Sequence, residues 1–124
     1  MTDHADDVAA KWLRGVLEAC VVGILRGGPA YGYEIAGRIA DAGFVRPKGG
    51  TLYPILGRLE ASGWVEPSWL EGDGGPSRKY YRLTATGADA AAAQEQQWAW
   101  FSAQVGSMLA GQPATADLSR TAAT

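Results

Sequence analysis

The chain has 124 residues, 47% hydrophobic and 19% charged, the proportions of an ordinary globular chain with room for one domain at most. Its formal net charge of −2 excludes a protein that is basic overall and leaves a local basic face as the route to any nucleic acid.

Residues 1–10 are polar or small without periodicity and are expected to be a flexible tail. The acids Asp3, Asp6 and Asp7 make this start unlike a signal peptide. From Lys11 to Arg26 the pattern is helical and apolar nearly all round, with Trp12, Leu13, Val16, Leu17, Val21, Val22, Ile24 and Leu25. Glu18 interrupts the run, which is too short to cross a bilayer. A helix apolar on every side must be covered on every side. In so small a chain, one face then packs internally and another meets a partner subunit. Cys20 lies in this helix as a buried small residue. As the only cysteine it cannot form an internal disulfide, which fits a reducing, cytoplasmic setting.

"GGP" at 27–29 ends that helix. A second runs from about Tyr31 to Ala42, with Ile35, Ala36 and Ile39 on one face, and the loop "FVRPKGG" follows. In the third, Leu52, Ile55, Leu56 and Leu59 recur at i, i+3, i+4 and i+7. Thr51 is read as its N-cap, Pro54 as a first-turn proline and Gly63 as its stop. The other face holds Thr51, Tyr53, Pro54, Gly57 and Arg58, with nothing acidic. Two short strands come next, "WVEPSW" (64–69) and "KYYRL" (79–83), joined by the glycine-rich tip "LEGDGGPSR". Pro67 marks the first as an edge strand. Of Tyr80 and Tyr81, which alternate across the second, one belongs to the core.

Thr84 caps a long helix to about Ala110. Its Ala91, Gln94, Trp98, Phe101, Val105 and Met108 are spaced 3, 4, 3, 4, 3, a heptad seam. Residues 112–124 are expected to be a second flexible tail. The domains are thus read as tail 1–10, winged helix-turn-helix 11–84, C-terminal dimerisation helix 85–111 and tail 112–124.

Helix, helix, helix, strand, wing, strand is the order of a winged helix-turn-helix, mostly α with a small β-hairpin, an α+β fold. The third helix would enter the major groove, about 12 Å wide, so its outer side chains must be small. Thr51 and Tyr53 offer hydroxyls there, and Lys48 and Arg58 offer charge. Arg78 and Lys79 at the wing reach flanking phosphates. Three basic residues and no acid lie between Arg46 and Arg58, and again between Arg78 and Arg82. Catalysis is not expected. The only histidine, His4, sits in a tail, "GDGG" joins two strands and opens no helix, and no cofactor or metal site is read.

"LRGVLEACVVGIL", "GPAYGYEI", "GGTLYPILGRLEASGWVE" and "GGPSRKYYRLTATG" together resemble the PadR family of transcriptional regulators over about residues 12–110. The short form of that family has a single C-terminal helix, as here. One departure is Gly49, where the family usually has proline before "GTLYP". The resemblance implies a homodimeric repressor on a palindromic operator of double-stranded DNA. The C-terminal helix of one subunit would meet the N-terminal helix of the other, through Leu13, Val16, Trp98, Phe101, Val105 and Met108. Carried over by position, Tyr31, Tyr33, Thr51, Tyr53, Arg58, Arg78 and Lys79 would touch DNA, although Tyr33 is expected in the core. In some relatives a tryptophan placed like Trp98 lines a cavity at the dimer interface that stacks planar aromatic ligands. Here Trp98, Phe101, Ala19 and Gly23 would line it, with Glu18 at the rim. The alternative is a winged-helix module for protein–protein contact or small-molecule sequestration, without operator binding.

Overall fold

The computed structural model describes residues 2–71 and 77–112. The apolar N-terminal stretch forms two helices, α1 (Thr2–Arg14) and α2 (Leu17–Leu25), where the sequence reading has one beginning at Lys11. Gly15 is a poor helix former, and the chain turns there. The N–H groups of Gly15 and Val16 donate three residues back, to Trp12 and Leu13. Residues 2–10, read as a tail, continue α1 toward the N-terminus. Acids early and Lys11 and Arg14 in the last turn are the charge order that a helix dipole favours. The tail read at 112–124 lies outside the described residues from 113 onward.

Ala30–Tyr31 form a short strand, β1, that the sequence reading lacks, and α3 (Gly32–Asp41) and α4 (Gly49–Ala61) follow. The antiparallel pair β2 (Val65–Glu71) and β3 (Ser77–Leu83) extends beyond the predicted segments, and the sheet order is β1-β3-β2. Pro67 lies on the edge strand β2, the position in a sheet where proline is tolerated. The long helix α5 spans Ala85–Leu109.

The start of α4 differs from the sequence reading. Lys48, not Thr51, occupies the N-cap, and its carbonyl accepts from the N–H groups of both Thr51 and Leu52. Pro54 therefore falls past the first turn and leaves the Gly50 carbonyl without its helical donor.

The core gathers the predicted stripes. Leu17, Val21, Val22 and Leu25 of α2, Ile35, Ala36 and Ile39 of α3, and Leu52, Ile55, Leu56 and Leu59 of α4 are buried with Val65, Tyr81 and Ala91. Tyr81 is thus the core tyrosine of the strand pair. α5 is locked to this head at its first turn. Thr84 Oγ1 donates to the Gly63 carbonyl at 2.6 Å and accepts from Gly87 N–H at 3.0 Å. Thr84 N–H donates to the Trp64 carbonyl at 3.0 Å. Gly87 is buried, and a Cβ on it would collide with the Trp64 carbonyl oxygen.

Candidate nucleic-acid interface

On α4, Gly50, Pro54, Gly57 and Ala61 are exposed and fall opposite the buried stripe. The outermost ridge of this helix is therefore almost bare backbone, and its larger side chains stand on the two flanks. On one flank Tyr53 lies across the start of α3. A Cβ on the buried Gly32 would fall 2.5 Å from the Tyr53 hydroxyl oxygen, so only glycine admits that ring. Thr51 and Lys48 remain exposed on α4 and its N-cap.

Around the start of α3, cations and rings alternate. The Arg78 guanidinium stands 4.8 Å from the centre of the Tyr31 ring and donates to its hydroxyl at 3.1 Å. Tyr31 packs edge-on against Tyr80, its partner across the β1–β3 ladder, with ring centres 5.1 Å apart. Arg46 stands 4.0 Å over the Tyr33 ring and donates to the Tyr33 carbonyl at 2.8 Å. Lys79 faces Trp69 across the β2–β3 ladder, 5.9 Å from its ring centre. Rings beneath the charges fix them at modest entropic cost, with each contact worth about 0.5–1 kcal/mol at exposed sites. Tyr31, Gly32, Tyr53, Trp69, Arg78 and Lys79 line one shared hollow.

Two corrections concern this face. Tyr33 is 69% exposed instead of buried, because it precedes the apolar stripe of α3 and turns toward Arg46. The acid-free basic run is acid-free only in sequence. Glu18 of α2 reaches Arg58 at 3.2 Å and Glu60 reaches Lys79 at 3.3 Å. Desolvation lowers the Lys79 pKa, but hydrogen bonding and charge from Glu60 and Tyr81 outweigh it and hold it above the ordinary 10.5. Among the described residues, no carboxylate pairs with Arg46, Lys48 or Arg78. Arg46 is absent from the sequence-derived contacts. Its signal is a basic residue in the loop leading into α4.

The second region of interest is a hollow of about 450 Å³ between α2 and α5 of the same chain. Ala19, Cys20 and Gly23 form one wall, and Ala91, Gln94 and Trp98 the other, with Leu13 and Val16 at one end. The Arg26–Glu95 ion pair, 2.9 Å, stands among the lining residues. Gln94 Oε1 is buried without a hydrogen-bond partner among the described residues. Burial also pushes the Cys20 thiol above its ordinary pKa of 9.0, so it stays protonated. The sequence reading puts Ala19, Gly23 and Trp98 at a cavity between two subunits; here they line a hollow within one chain, and Glu18 and Phe101 do not line it. Neighbouring residues on a helix point about 100° apart, and Glu18 faces α4 from the other side of α2. Phe101 is a turn beyond, 53% exposed and 6.1 Å from the Trp98 ring centre. Met108 is exposed, and Val105 is partly so.

A model of the transcriptional regulator PadR-like family matches residues 21–93. A PadR family transcriptional regulator from Eggerthella lenta is 35% identical, with a TM-score of 0.74 over 87% of this chain and 94% of that one. A PadR-like transcriptional regulator from Bacillus cereus is 32% identical, with a TM-score of 0.72 over 80% of this chain and 96% of that one. Bacillus subtilis PadR, solved in complex with operator DNA, is 27% identical, with a TM-score of 0.56 over 61% of this chain and 43% of that one.

Proposed function

This chain belongs to the PadR-like family of transcriptional regulators, which are not enzymes, and from that premise we propose that it is a homodimeric repressor that binds a palindromic operator. The observation that carries this reading is the alternation of Arg46–Tyr33, Arg78–Tyr31 and Lys79–Trp69 beside a helix whose outer ridge is bare. A bare ridge lets backbone approach base edges, and ring-backed cations suit phosphates. Tyr31, Lys48, Thr51, Tyr53, Arg58, Arg78 and Lys79 are the assigned contacts, with Arg46 added. The operator complex of the Bacillus subtilis relative supports DNA as the partner.

Dimerisation joins Trp98, Phe101, Val105 and Met108 of α5 to Leu13 and Val16 of the partner's N-terminal region. The hollow between α2 and α5 opens toward that seam at Trp98 and takes a planar aromatic effector. Such a ring gains about 0.5–1.5 kcal/mol from stacking beyond area burial. The effector acts only if it prefers one arrangement of the two heads. No helix among the described residues is long and apolar enough to cross a membrane. A regulator of transcription works where the chromosome is, so the proposed setting is the cytoplasm.

Fluorescence anisotropy of a labelled fragment from upstream of the gene, at two salt concentrations with competitor DNA, tests the reading. Saturation at two protomers per site with steep salt dependence is expected. Binding no better than to scrambled DNA would favour the protein-contact module, which the internal pairing of Arg58 and Lys79 also suits.

A further inference from the structure

Arg58 is the one arginine on α4, yet it is turned back toward the head. Its Nε and Nη2 both donate to Glu18 Oε1, at 3.3 and 3.2 Å. The two residues are 40 apart in sequence and belong to different helices. Arg58 flanks the bare ridge on the side facing α2, and Glu18 stands on the side of α2 opposite the hollow. Both side chains are substantially exposed, 62% for Arg58 and 43% for Glu18, so the pair is open to competition from an outside anion.

We propose that Glu18 is a positioning residue that holds the Arg58 guanidinium in reserve, and that a DNA phosphate must displace its carboxylate. This rests on the operator-binding reading above. Two consequences follow from charge alone. An exposed ion pair is weak, so the clasp lowers affinity without abolishing binding. The carboxylate left unpaired beside the phosphates repels them, most strongly at low salt, where screening is least. Glu18 therefore flattens the salt dependence as well as weakening the complex.

The experiment compares the full-length protein with Glu18→Gln, Arg58→Gln and the double variant, on operator DNA and on immobilised heparin as a generic polyanion. Glu18→Gln should tighten operator binding about two- to fivefold and steepen the slope of log K against log salt. It should also elute later from heparin. The melting temperature should barely move, because the pair is exposed. In the Arg58→Gln background each of these gains should vanish, which a general effect of removing a negative charge would not produce. Weaker operator binding by Glu18→Gln would overturn the proposal, since Glu18 would then be presenting Arg58 to DNA. A gain that persists without Arg58 would overturn it equally. If the unmodified protein prefers no upstream fragment but the heparin pattern holds, the clasp stands and the operator reading falls.

Discussion

In the head, Ile35, Leu52, Leu56 and Leu59 are at most 2% exposed, while on α5 Trp98, Phe101 and Met108 are 51–58% exposed. Both regions are apolar and helical, and both obey a regular spacing in sequence. The head closes its stripes on one another within one chain, because three helices and a sheet surround a common centre. The distal part of α5 leaves a row of large side chains uncovered. The same physical demand is met at home in one region and calls for a second surface in the other.

The sharpest way to separate the two is to damage each in turn. Leu56→Ala empties fully buried space and should cost about 2–5 kcal/mol in urea unfolding, at any protein concentration. Phe101→Asp should leave the head folded. It should raise the dissociation constant of the proposed dimer at least about 30-fold by sedimentation equilibrium, since interface anchors carry about 2 kcal/mol or more. If Phe101→Asp instead melts the head, α5 is core and not seam.

Gly87→Ala probes the junction between the regions. Its methyl meets the Trp64 carbonyl, and relief by backbone shift should cost about 1–3 kcal/mol of stability. Thr84→Ala removes a cap and should cost about 1 kcal/mol, read as a small drop in denaturant midpoint. The smallest effect concerns Cys20. Its thiol pKa is raised by burial, so the folded state holds the proton more tightly than the unfolded one. Alkylation should therefore be slower than for a free thiol at pH 8, and should go on accelerating past pH 9.0, where a free thiol levels off. This group's stabilisation is full below that value and is lost above it.

The head was legible because its signals are local. The i, i+3, i+4, i+7 spacing of Leu52, Ile55, Leu56 and Leu59 needs no knowledge of the rest of the chain. Thr84 as a cap was equally local. What escaped depends on distance. The strand Ala30–Tyr31 is two residues long and exists only because β3 offers it a ladder. Tyr33 is held outside by Arg46, 13 residues on. Arg58 looked free because Glu18 lies on a different helix, and the hollow lost Glu18 for the same reason. The cap of α4 was misplaced by three residues because Thr51 has the right chemistry, whereas Lys48 holds the position by backbone geometry alone.

The knot of Thr84, Gly63, Trp64 and Gly87 has a mechanical consequence. α5 has 25 residues, a beam of about 38 Å at 1.5 Å per residue, comparable to one turn of duplex DNA. Its root is clamped to the head by two hydrogen bonds and a spot with no room for a methyl group. In the proposed dimer, two copies joined along their beams would act as calipers with welded jaws. The gap between the jaws would open or narrow only where one beam slides or pivots on the other, and a molecule wedged near Trp98 would bear on that pivot.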